Sequence, residues 1–491
     1  MNHRNSRRDF LRALACTACS GSAAALFPQL RMMGSALANT ASLPGYRALV
    51  CVYLAGGNDA WNLLVPFDST RFNVYANSRS GVYDAVNNPG GLGLALPNTQ
   101  AQIAAQKIVD GNDTNASTNQ YFLHPSVPEL TTLYNAGNLG FVVNAGTLVK
   151  PITMSDYLAG SANYPAQLFS HADQTNQWHQ GYAVETSSLG WGGRCGDVLA
   201  PNNANQQLSS CISIAGSNRF EIGVSTVPYQ LSSNGLNKLS GMCNTNCTGN
   251  NKARDTALND LLGATYANDF ADDYGATFGR ARDLYSLLAT DLPNYLPQTV
   301  FPPGNSLGSQ LRMVANMINL CAQKGYASRQ IFFVQLGGFD LHSGMMSGNG
   351  DHASLLAELS SALNAFWTSL GPADINLQDS VTLFTMSEFA RTLQSNGSGS
   401  DHAWGTVQMM LGGAVNGGKL YSDGGGPIGG FPNQALNAPN NFPRGQMIPG
   451  IGVEQYAATL AQWMGVTNTN DLNAIFPNLT SFGGHTNLGF V

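Results

Sequence analysis

The stretch IFFVQLGGFDLHSG, residues 331–344, joins an apolar run to a carboxylate and an imidazole. The run Ile331–Gln335 predicts a buried β-strand, because a short apolar segment that ends at glycine is typical of a strand covered on both faces. Asp340 and His342 follow the two glycines and flank one leucine. In a parallel sheet, sites gather beyond the carboxyl ends of the strands. We therefore predict a site at this strand end.

The same pattern, a buried strand followed by an acid, occurs twice more. RALVCVYL (47–54) leads to Asp59, and VTLFTM (381–386) leads to Glu388. Further strands are predicted at 139–144 and 407–411, and helices at 125–136, 167–180, 252–292, 309–322, 351–370 and 454–464. Strands that alternate with helices predict an α/β fold, with a mostly parallel central sheet and helices on both faces.

The first 38 residues are predicted to be a twin-arginine (Tat) signal peptide. SRRDFLR (6–12) is the export pattern, a mildly apolar stretch follows it, and Ala36-Leu37-Ala38 supplies the cleavage site. The remaining residues, 39–491, are expected to form a single domain with long loop insertions at about 69–120 and 412–450. The protein is thus expected to be periplasmic or secreted, with the Tat export machinery as a partner.

Charge and cysteine content narrow the class of protein. Without residues 1–38, 18 basic and 28 acidic residues remain, which gives a net charge of about −10. Such a chain is not expected to bind nucleic acid, and no later stretch has the roughly 18 apolar residues of a membrane span.

Cys243 and Cys247 are the expected disulfide pair in an oxidising compartment, and Cys51 is expected to be a buried thiol. The oligomeric state is left open.

Carboxylates and imidazoles at strand ends are typical ligands of divalent metals. Carboxylates favour Mg²⁺, Ca²⁺ or Mn²⁺, and added histidine shifts the preference toward Zn²⁺ or Mn²⁺. One or two ions are expected, and their identity is left open. The candidate ligands are Asp59, Asp340, His342, Glu388, Asp401 and His402.

Each candidate also has a purely structural interpretation. Asp59 follows Gly-Gly-Asn and fits an ordinary turn. Ser170 fits a helix N-cap, and Glu388 fits an ion pair with Arg391. Asp351, in an Asp-His pair that opens the predicted helix 351–370, is interpreted as an N-cap and not as a ligand.

Five segments together resemble a known family. They are VYLAGGNDAWNLLVPFD (52–68), SHADQTNQW (170–178), LGGFDLHS (336–343), SEFARTLQSNGSGSDHAWG (387–405) and GGAVNGGKLYSD (412–423). They resemble the secreted family catalogued as domain of unknown function 1501 (DUF1501), from about residue 46 to near the C-terminus. That family is similar to the alkaline phosphatase/sulfatase superfamily, which implies an α/β sandwich with a metal-dependent site for ester hydrolysis.

The resemblance also implies roles for single residues. Asp59 matches the first metal ligand, and Asp340 with His342 resembles the next acid–histidine pair. Ser170 is the candidate nucleophile at a helix start, with His171 beside it. His402 resembles the last histidine of the pattern.

Two further positions complete this comparison. Arg391 is a candidate contact for an anionic substrate group. Phe389 is a departure, because the superfamily has histidine there.

The leading functional hypothesis is an exported metal-dependent hydrolase of phosphate or sulfate esters, whose substrates include small molecules and glycans. Either Ser170 or a water molecule is the nucleophile. The alternative is a catalytically degenerate binding or assembly protein of the periplasm or cell surface, which the missing histidine at Phe389 favours. A metal-dependent hydrolase of another bond is a third hypothesis.

Overall fold

A computed structural model describes most of the chain outside its N-terminus. The described residues are 43–87, 92–97, 101–160, 163–184, 187–205, 207–236, 248–266, 268–346, 351–422, 431–439, 441–483 and 486–491. The predicted signal peptide and the predicted Cys243–Cys247 pair lie outside them. The described cysteines, at 51, 195, 211 and 321, are buried free thiols, which confirms the expectation for Cys51.

The strands of the described chain are numbered β1 to β14. They are Arg47–Leu54 (β1), Leu64–Pro66 (β2), Lys107–Val109 (β3), Gln120–Leu123 (β4), Leu139–Gly146 (β5), Cys211–Ser213 (β6), Tyr229–Gln230 (β7), Arg329–Leu336 (β8), Val381–Met386 (β9), Thr406–Leu411 (β10), Leu420–Tyr421 (β11), Asn441–Phe442 (β12), Gln446–Met447 (β13) and Ile451–Gly452 (β14).

The α-helices are numbered α1 to α13 in the same way. They are Ala60–Leu63 (α1), Ser69–Ser78 (α2), Ala101–Ala105 (α3), Pro128–Asn135 (α4), Met154–Leu158 (α5), His171–Gln180 (α6), Trp191–Leu199 (α7), Gly249–Gly263 (α8), Asp269–Asp291 (α9), Ser306–Lys324 (α10), His352–Ser369 (α11), Val453–Met464 (α12) and Thr469–Ile475 (α13).

The central sheet confirms the predicted α/β fold. Its strand order is β11-β5-β10-β9-β1-β8-β6-β7, and β14 also pairs with β5. All pairings are parallel except those of β10, which runs antiparallel to β5 and to β9. In the register of β1, Leu54 lies opposite Leu336 and Tyr53 opposite Met386. The carboxyl ends of β1, β8 and β9 therefore meet at one edge.

The sheet is buried on both faces, as the apolar strand sequences predict. Side chains of β1 alternate between two hydrophobic clusters, since successive residues of a strand point to opposite faces. Val50 and Val52 pack in the cluster that contains α4, α10 and α11. Cys51 packs in the cluster that contains α7 and α12. The helices thus cover both faces of the sheet.

Two segments differ from the expectation. The periodic run 252–292 is not one helix but two, α8 and α9, and α8 buries no side chain among its described residues. The region 69–120, predicted to be a loop insertion, contains α2, α3 and β3. Strand β3 completes a three-stranded antiparallel sheet of order β2-β4-β3. This region packs Phe72 and Tyr75 into a core cluster of its own, so it is part of the folded body.

The smaller predictions are mostly confirmed. Asp351 caps α11 by accepting a hydrogen bond from the Ser354 backbone N–H at 2.8 Å. Strands β1 and β9 have the predicted bounds, and β5 extends two residues beyond its prediction. Within the described ranges, we find no helix with the length and apolar content needed to span a membrane.

Candidate metal centre

The site begins with two glycines that let three strand ends touch. Gly56 and Gly57 follow β1 with φ angles of +118° and +79°, a region that side chains disfavour. A Cβ atom at Gly56 would clash with the backbone of Asp340, and one at Gly57 would clash with the ring of Phe389. The Gly-Gly pair is therefore required for the segments that follow β1, β8 and β9 to pack together.

The chain between β9 and β10 leaves the sheet and returns to the same edge. An antiparallel bridge joins Arg391 to His402, and the Thr392 backbone N–H donates to the Asp401 carbonyl at 2.8 Å. Because β10 runs antiparallel to β9, residues 388–391 and 401–402 lie side by side beside the end of β8.

Three imidazoles converge on one carboxylate oxygen at this edge. The Oδ1 atom of Asp340 lies 3.1 Å from Nε2 of His342, and 3.5 Å from Nε2 of both His171 and His402. The Nε2 atoms of His342 and His402 are 2.9 Å apart. His171 is the first residue of α6, so the cluster gathers residues from three separate parts of the chain.

The opposite nitrogen of each imidazole is held by an oxygen acceptor. Nδ1 of His171 lies 2.8 Å from Glu388 Oε1, and Nδ1 of His342 lies 2.9 Å from Asp401 Oδ1. Nδ1 of His402 lies 2.7 Å from a backbone carbonyl, that of Phe169.

These partners fix the tautomers of the three histidines. A carboxylate or a carbonyl only accepts, so each Nδ1 is assigned as the donor, and each neutral ring then directs an Nε2 lone pair inward. Two lone pairs at 2.9 Å repel unless a proton or a cation lies between them. Metal-binding histidines are typically held by their other nitrogen in this way.

The donor set fits a metal ion on geometry as well. The ligand atoms of His171, Asp340 and His402 all lie within 4.8 Å of one another. Bonds of the length that zinc makes to nitrogen and oxygen give a tetrahedron with edges of about 3.3 Å. The distances of 3.1–3.5 Å to Asp340 Oδ1 match this edge, and separations of up to 4.8 Å within the set exceed it. Nε2 of His171 is buried and lacks a hydrogen-bond partner among the described residues. The cluster therefore has the composition and spacing of a His/Asp metal site.

Local charges shift the pKa values within the cluster. The hydrogen bond that His171 donates to Glu388 raises the pKa of His171 above its usual value, although partial burial opposes the shift. Burial lowers the pKa of His402, and the nearby Arg391 charge adds to the effect. Partial burial alone would raise the pKa of Asp340, but its contacts with Arg391 lower it. Asp340 is thus held as a carboxylate.

Arg391 does not have the exposure expected of a substrate contact. Its side chain is fully buried, and its Nε and Nη1 atoms donate to the carbonyls of Gly57 and Ser400 at 2.9 and 3.1 Å. Nη2 donates to the Gly56 carbonyl and to Asp340. These contacts make Arg391 a support for Asp340, and its role as a contact for an anionic substrate group stays a prediction.

The structure gives Asp59 a guanidinium partner. Its carboxylate is fully buried and is paired through both oxygens with Arg79, which comes from the 69–120 region. Nη1 of Arg79 also donates to the Thr392 carbonyl at 3.0 Å. Asp59 is therefore not brought into the histidine cluster, and its role as a metal ligand stays a prediction.

Glu388 and Asp401 surround the cluster and orient it. Glu388 accepts from the Gly56 backbone N–H at 2.8 Å and from the Tyr53 hydroxyl at 3.0 Å, in addition to His171. Asp401 accepts from Asn396 at 3.0 Å and pairs with Arg444 at 2.5 Å, in addition to His342. Both acids accept hydrogen bonds from imidazole Nδ1 atoms and so support the histidines, while their role as metal ligands stays a prediction.

Ser170 lies directly before His171 and caps α6. Its hydroxyl donates to Asp173 at 2.6 Å and accepts from the backbone N–H of the same residue. The capping interpretation of Ser170 is thereby confirmed, and its role as nucleophile stays a prediction.

Phe389, where the sequence resemblance implies histidine, lies against the imidazole cluster. Its ring stacks on His402 with centroids 4.5 Å apart and contacts His171 at 4.8 Å. Phe389 is fully buried. It therefore shields one side of the imidazole cluster from water and offers no ligand atom.

Four contributors were missed by the sequence analysis: Tyr53, Arg79, Arg444 and the carbonyl of Phe169. Tyr53 had a signal, since it is a hydroxyl-bearing residue in an otherwise aliphatic strand. The Phe169 carbonyl had none, because every residue has one. Arg79 and Arg444 lie in segments without periodicity, from which no partner can be inferred.

Fold and site together define a mixed α/β protein with a His/Asp cluster at the carboxyl edge of its central sheet. Residues 302–427 match the model of the family described as "Protein of unknown function (DUF1501)". The resemblance to DUF1501 is confirmed for this segment, which includes Asp340, His342 and His402. No curated protein matches the sequence.

Comparison with solved structures gives remote likenesses. A structure titled Ps i-CgsB in complex with k-i-k-neocarrahexaose is 10% identical, with a TM-score of 0.34, and the match covers 89% of this chain and 77% of that one. The lipoteichoic acid synthase LtaP from Listeria monocytogenes is 8% identical, with a TM-score of 0.31 and coverages of 87% and 76%.

Proposed function

We propose that this protein is an exported metal-dependent hydrolase of phosphate or sulfate esters. The observation that supports the proposal is the convergence of three imidazole Nε2 atoms on Asp340 Oδ1, each imidazole being held from behind by an oxygen acceptor. His171, His342, His402 and Asp340 would hold the ion. A bound divalent ion supplies Lewis acidity toward the ester and lowers the pKa of water.

The protein's own groups keep this donor set in place. Glu388 and Asp401 fix the ring orientations of His171 and His342, and the Phe169 carbonyl fixes His402. Arg391 holds the Asp340 carboxylate through a buried contact. Such preorganisation spares the site the cost of arranging its ligands during turnover.

Water is the nucleophile in this proposal. The hydroxyl of Ser170 is engaged with Asp173 inside the first turn of α6, which favours a capping role over attack. In the hydrolysis, the water oxygen bonds to phosphorus or sulfur as the ester bond breaks, and the ester oxygen leaves as the alcohol with one of the water protons.

The test is elemental analysis and an ester screen on protein purified without chelators. We expect about one equivalent of divalent metal and turnover of a phosphate or sulfate ester. His402→Ala should lose both. His124→Asn is a matched control, because His124 is a buried histidine outside the cluster and asparagine preserves an acceptor for the Ser126 backbone N–H. A wild-type protein that binds no metal would contradict the proposal.

A second candidate is a binding protein without catalysis. The contacts of Arg391 with Asp340 and of Arg79 with Asp59 favour it, because each guanidinium neutralises an acid without any metal. In that case the metal-free protein would keep its melting temperature in the presence of a chelator, and no ester would be turned over.

A further inference from the structure

Two arginines approach the cluster and differ in how their donors are used. Arg391 is fully buried, and all three of its side-chain nitrogens donate to protein oxygens. Arg444 is 40% exposed, and its Nη1 atom pairs with Asp401 at 2.5 Å. A guanidinium carries five N–H donors in a planar fork that matches the oxygens of phosphate-like anions. Arg444 therefore presents part of that fork to solvent on the outer side of Asp401, the residue that holds Nδ1 of His342.

The backbone around Arg444 is held on both sides. Arg444 has φ +73°, a conformation that a residue other than glycine adopts only when its surroundings impose it. The Gln394 backbone N–H donates to the Arg444 carbonyl at 3.1 Å, and Gln446 Nε2 donates to the His402 carbonyl at 2.6 Å. The turn between β12 and β13 is thus fastened to the same loop that carries His402.

The sum of formal charges around the site depends on Arg444. Asp340, Glu388 and Asp401 contribute three negative charges, and Arg391 and Arg444 contribute two positive ones. With neutral imidazoles and one divalent ion, the sum is +1, and without Arg444 it is zero. An anion approaching the site is therefore attracted more strongly when Arg444 is present.

We infer that Arg444 binds the anionic group of the substrate, a tetrahedral oxyanion of a phosphate or sulfate ester. The inference rests on the proposed function and assigns to Arg444 the role that the sequence suggested for Arg391. Its exposed N–H donors would contact the oxyanion, while Asp401 holds the other part of the guanidinium.

The test measures anion binding directly on the metal-loaded full chain. Inorganic phosphate and inorganic sulfate serve as probes in titration calorimetry, and the metal content of each variant is measured in parallel. Arg444→Gln keeps an N–H donor for Asp401 but removes the charge. We expect its Kd for the anion to rise about tenfold or more, with the metal content unchanged and Arg444→Lys intermediate.

Arg282→Gln is the matched control, because Arg282 forms a part-exposed ion pair with Asp255 on the α8–α9 pair. It should leave the Kd unchanged. An unchanged Kd in Arg444→Gln would overturn the inference, and so would a joint loss of metal and anion binding, since Arg444 would then act through Asp401 and His342. Anion binding without ester turnover in the wild type would overturn the proposed function alone.

Discussion

Asp59 and Asp340 are both acids that follow neighbouring parallel strands, yet their surroundings are opposite. Asp59 has no solvent exposure and is closed off by Arg79. Asp340 is 48% exposed and lies among three imidazoles, with Arg391 on one side. The difference comes from the segments that reach each strand end, α2 and its flank in one case and the 387–405 loop in the other. The segments that pack against a strand end therefore decide whether its acid is closed off by an ion pair or left open beside potential ligands.

The largest expected effect comes from breaking the buried ion pair between Asp59 and Arg79. Arg79→Ala leaves the Asp59 carboxylate buried and unpaired, which should lower the free energy of unfolding by about 3–5 kcal/mol. Chemical denaturation measures this change. Arg282→Ala, in a part-exposed pair, is the control and should cost less than about 1 kcal/mol. If Arg79→Ala instead left stability unchanged and altered the metal content, Asp59 would belong to the same site as Asp340 and the three imidazoles.

The second prediction concerns Glu388, which holds the imidazole of His171 beside Asp340. Glu388→Gln removes the charge that holds His171 and should lower the affinity for the metal by about 10–100-fold. Metal titration against a competing chelator measures it. Glu129→Gln is the control, since Glu129 also accepts a side-chain hydrogen bond, from Ser360, and neither residue belongs to the cluster. An equal loss in both variants would mean that general destabilisation, and not His171, carries the effect.

The third prediction concerns Ser170, which directly precedes His171 of the imidazole cluster. Ser170→Ala removes the cap of α6 and should cost about 1 kcal/mol of unfolding free energy. Turnover should stay within a few-fold of wild type, because water is the proposed nucleophile. Abolished turnover in a folded variant with its metal retained would restore Ser170 as the nucleophile.

The smallest effect is a change in pH dependence. Burial alone would raise the pKa of Asp401, but hydrogen bonds from Asn396, Arg444 and His342 lower it to about 2. An acid with a depressed folded pKa stabilises the fold above its unfolded pKa, and loses that contribution as pH falls toward the folded value. Wild-type stability should therefore fall between about pH 4 and 2, by less than about 1 kcal/mol from this group after solvent screening.

Asp401→Asn should flatten the stability curve in this acid window. Thermal unfolding at several pH values measures the slope. An identical slope in the variant and the wild type would show that Asp401 has no special link to its three donors.

Much of the central sheet follows from the sequence. The apolar runs of β1 and β9 are long and bounded by glycine or polar residues, so both strands were predicted with their observed bounds. The helices α10 and α11 were predicted from apolar spacing to within three residues at each end. The α8–α9 pair was not resolved into two helices, because the residues between them interrupt the periodicity only briefly.

The site was predicted in its residues more than in their roles. Asp340 and His342 are marked because carboxylates and imidazoles at strand ends are typical metal ligands, and His402 is marked by the family resemblance. Which acid binds and which supports depends on side-chain direction, as Glu388 and Asp401 demonstrate. The direction of a side chain depends on tertiary packing, and the spacing of residues in the sequence does not reveal it.

In the described part of the central sheet, the antiparallel direction of β10 has one further consequence. Since the chain leaves the site after Arg391 and returns to it at Asp401, the intervening residues form a finger whose base is fixed by the bridge between Arg391 and His402. The tip of this finger is also held, because Asn396 Nδ2 donates to the His342 carbonyl and to Asp401 Oδ1, both at 3.0 Å. A change in the length of this loop would therefore disturb Asp401, so the same residues set both the access to the site and the orientation of His342.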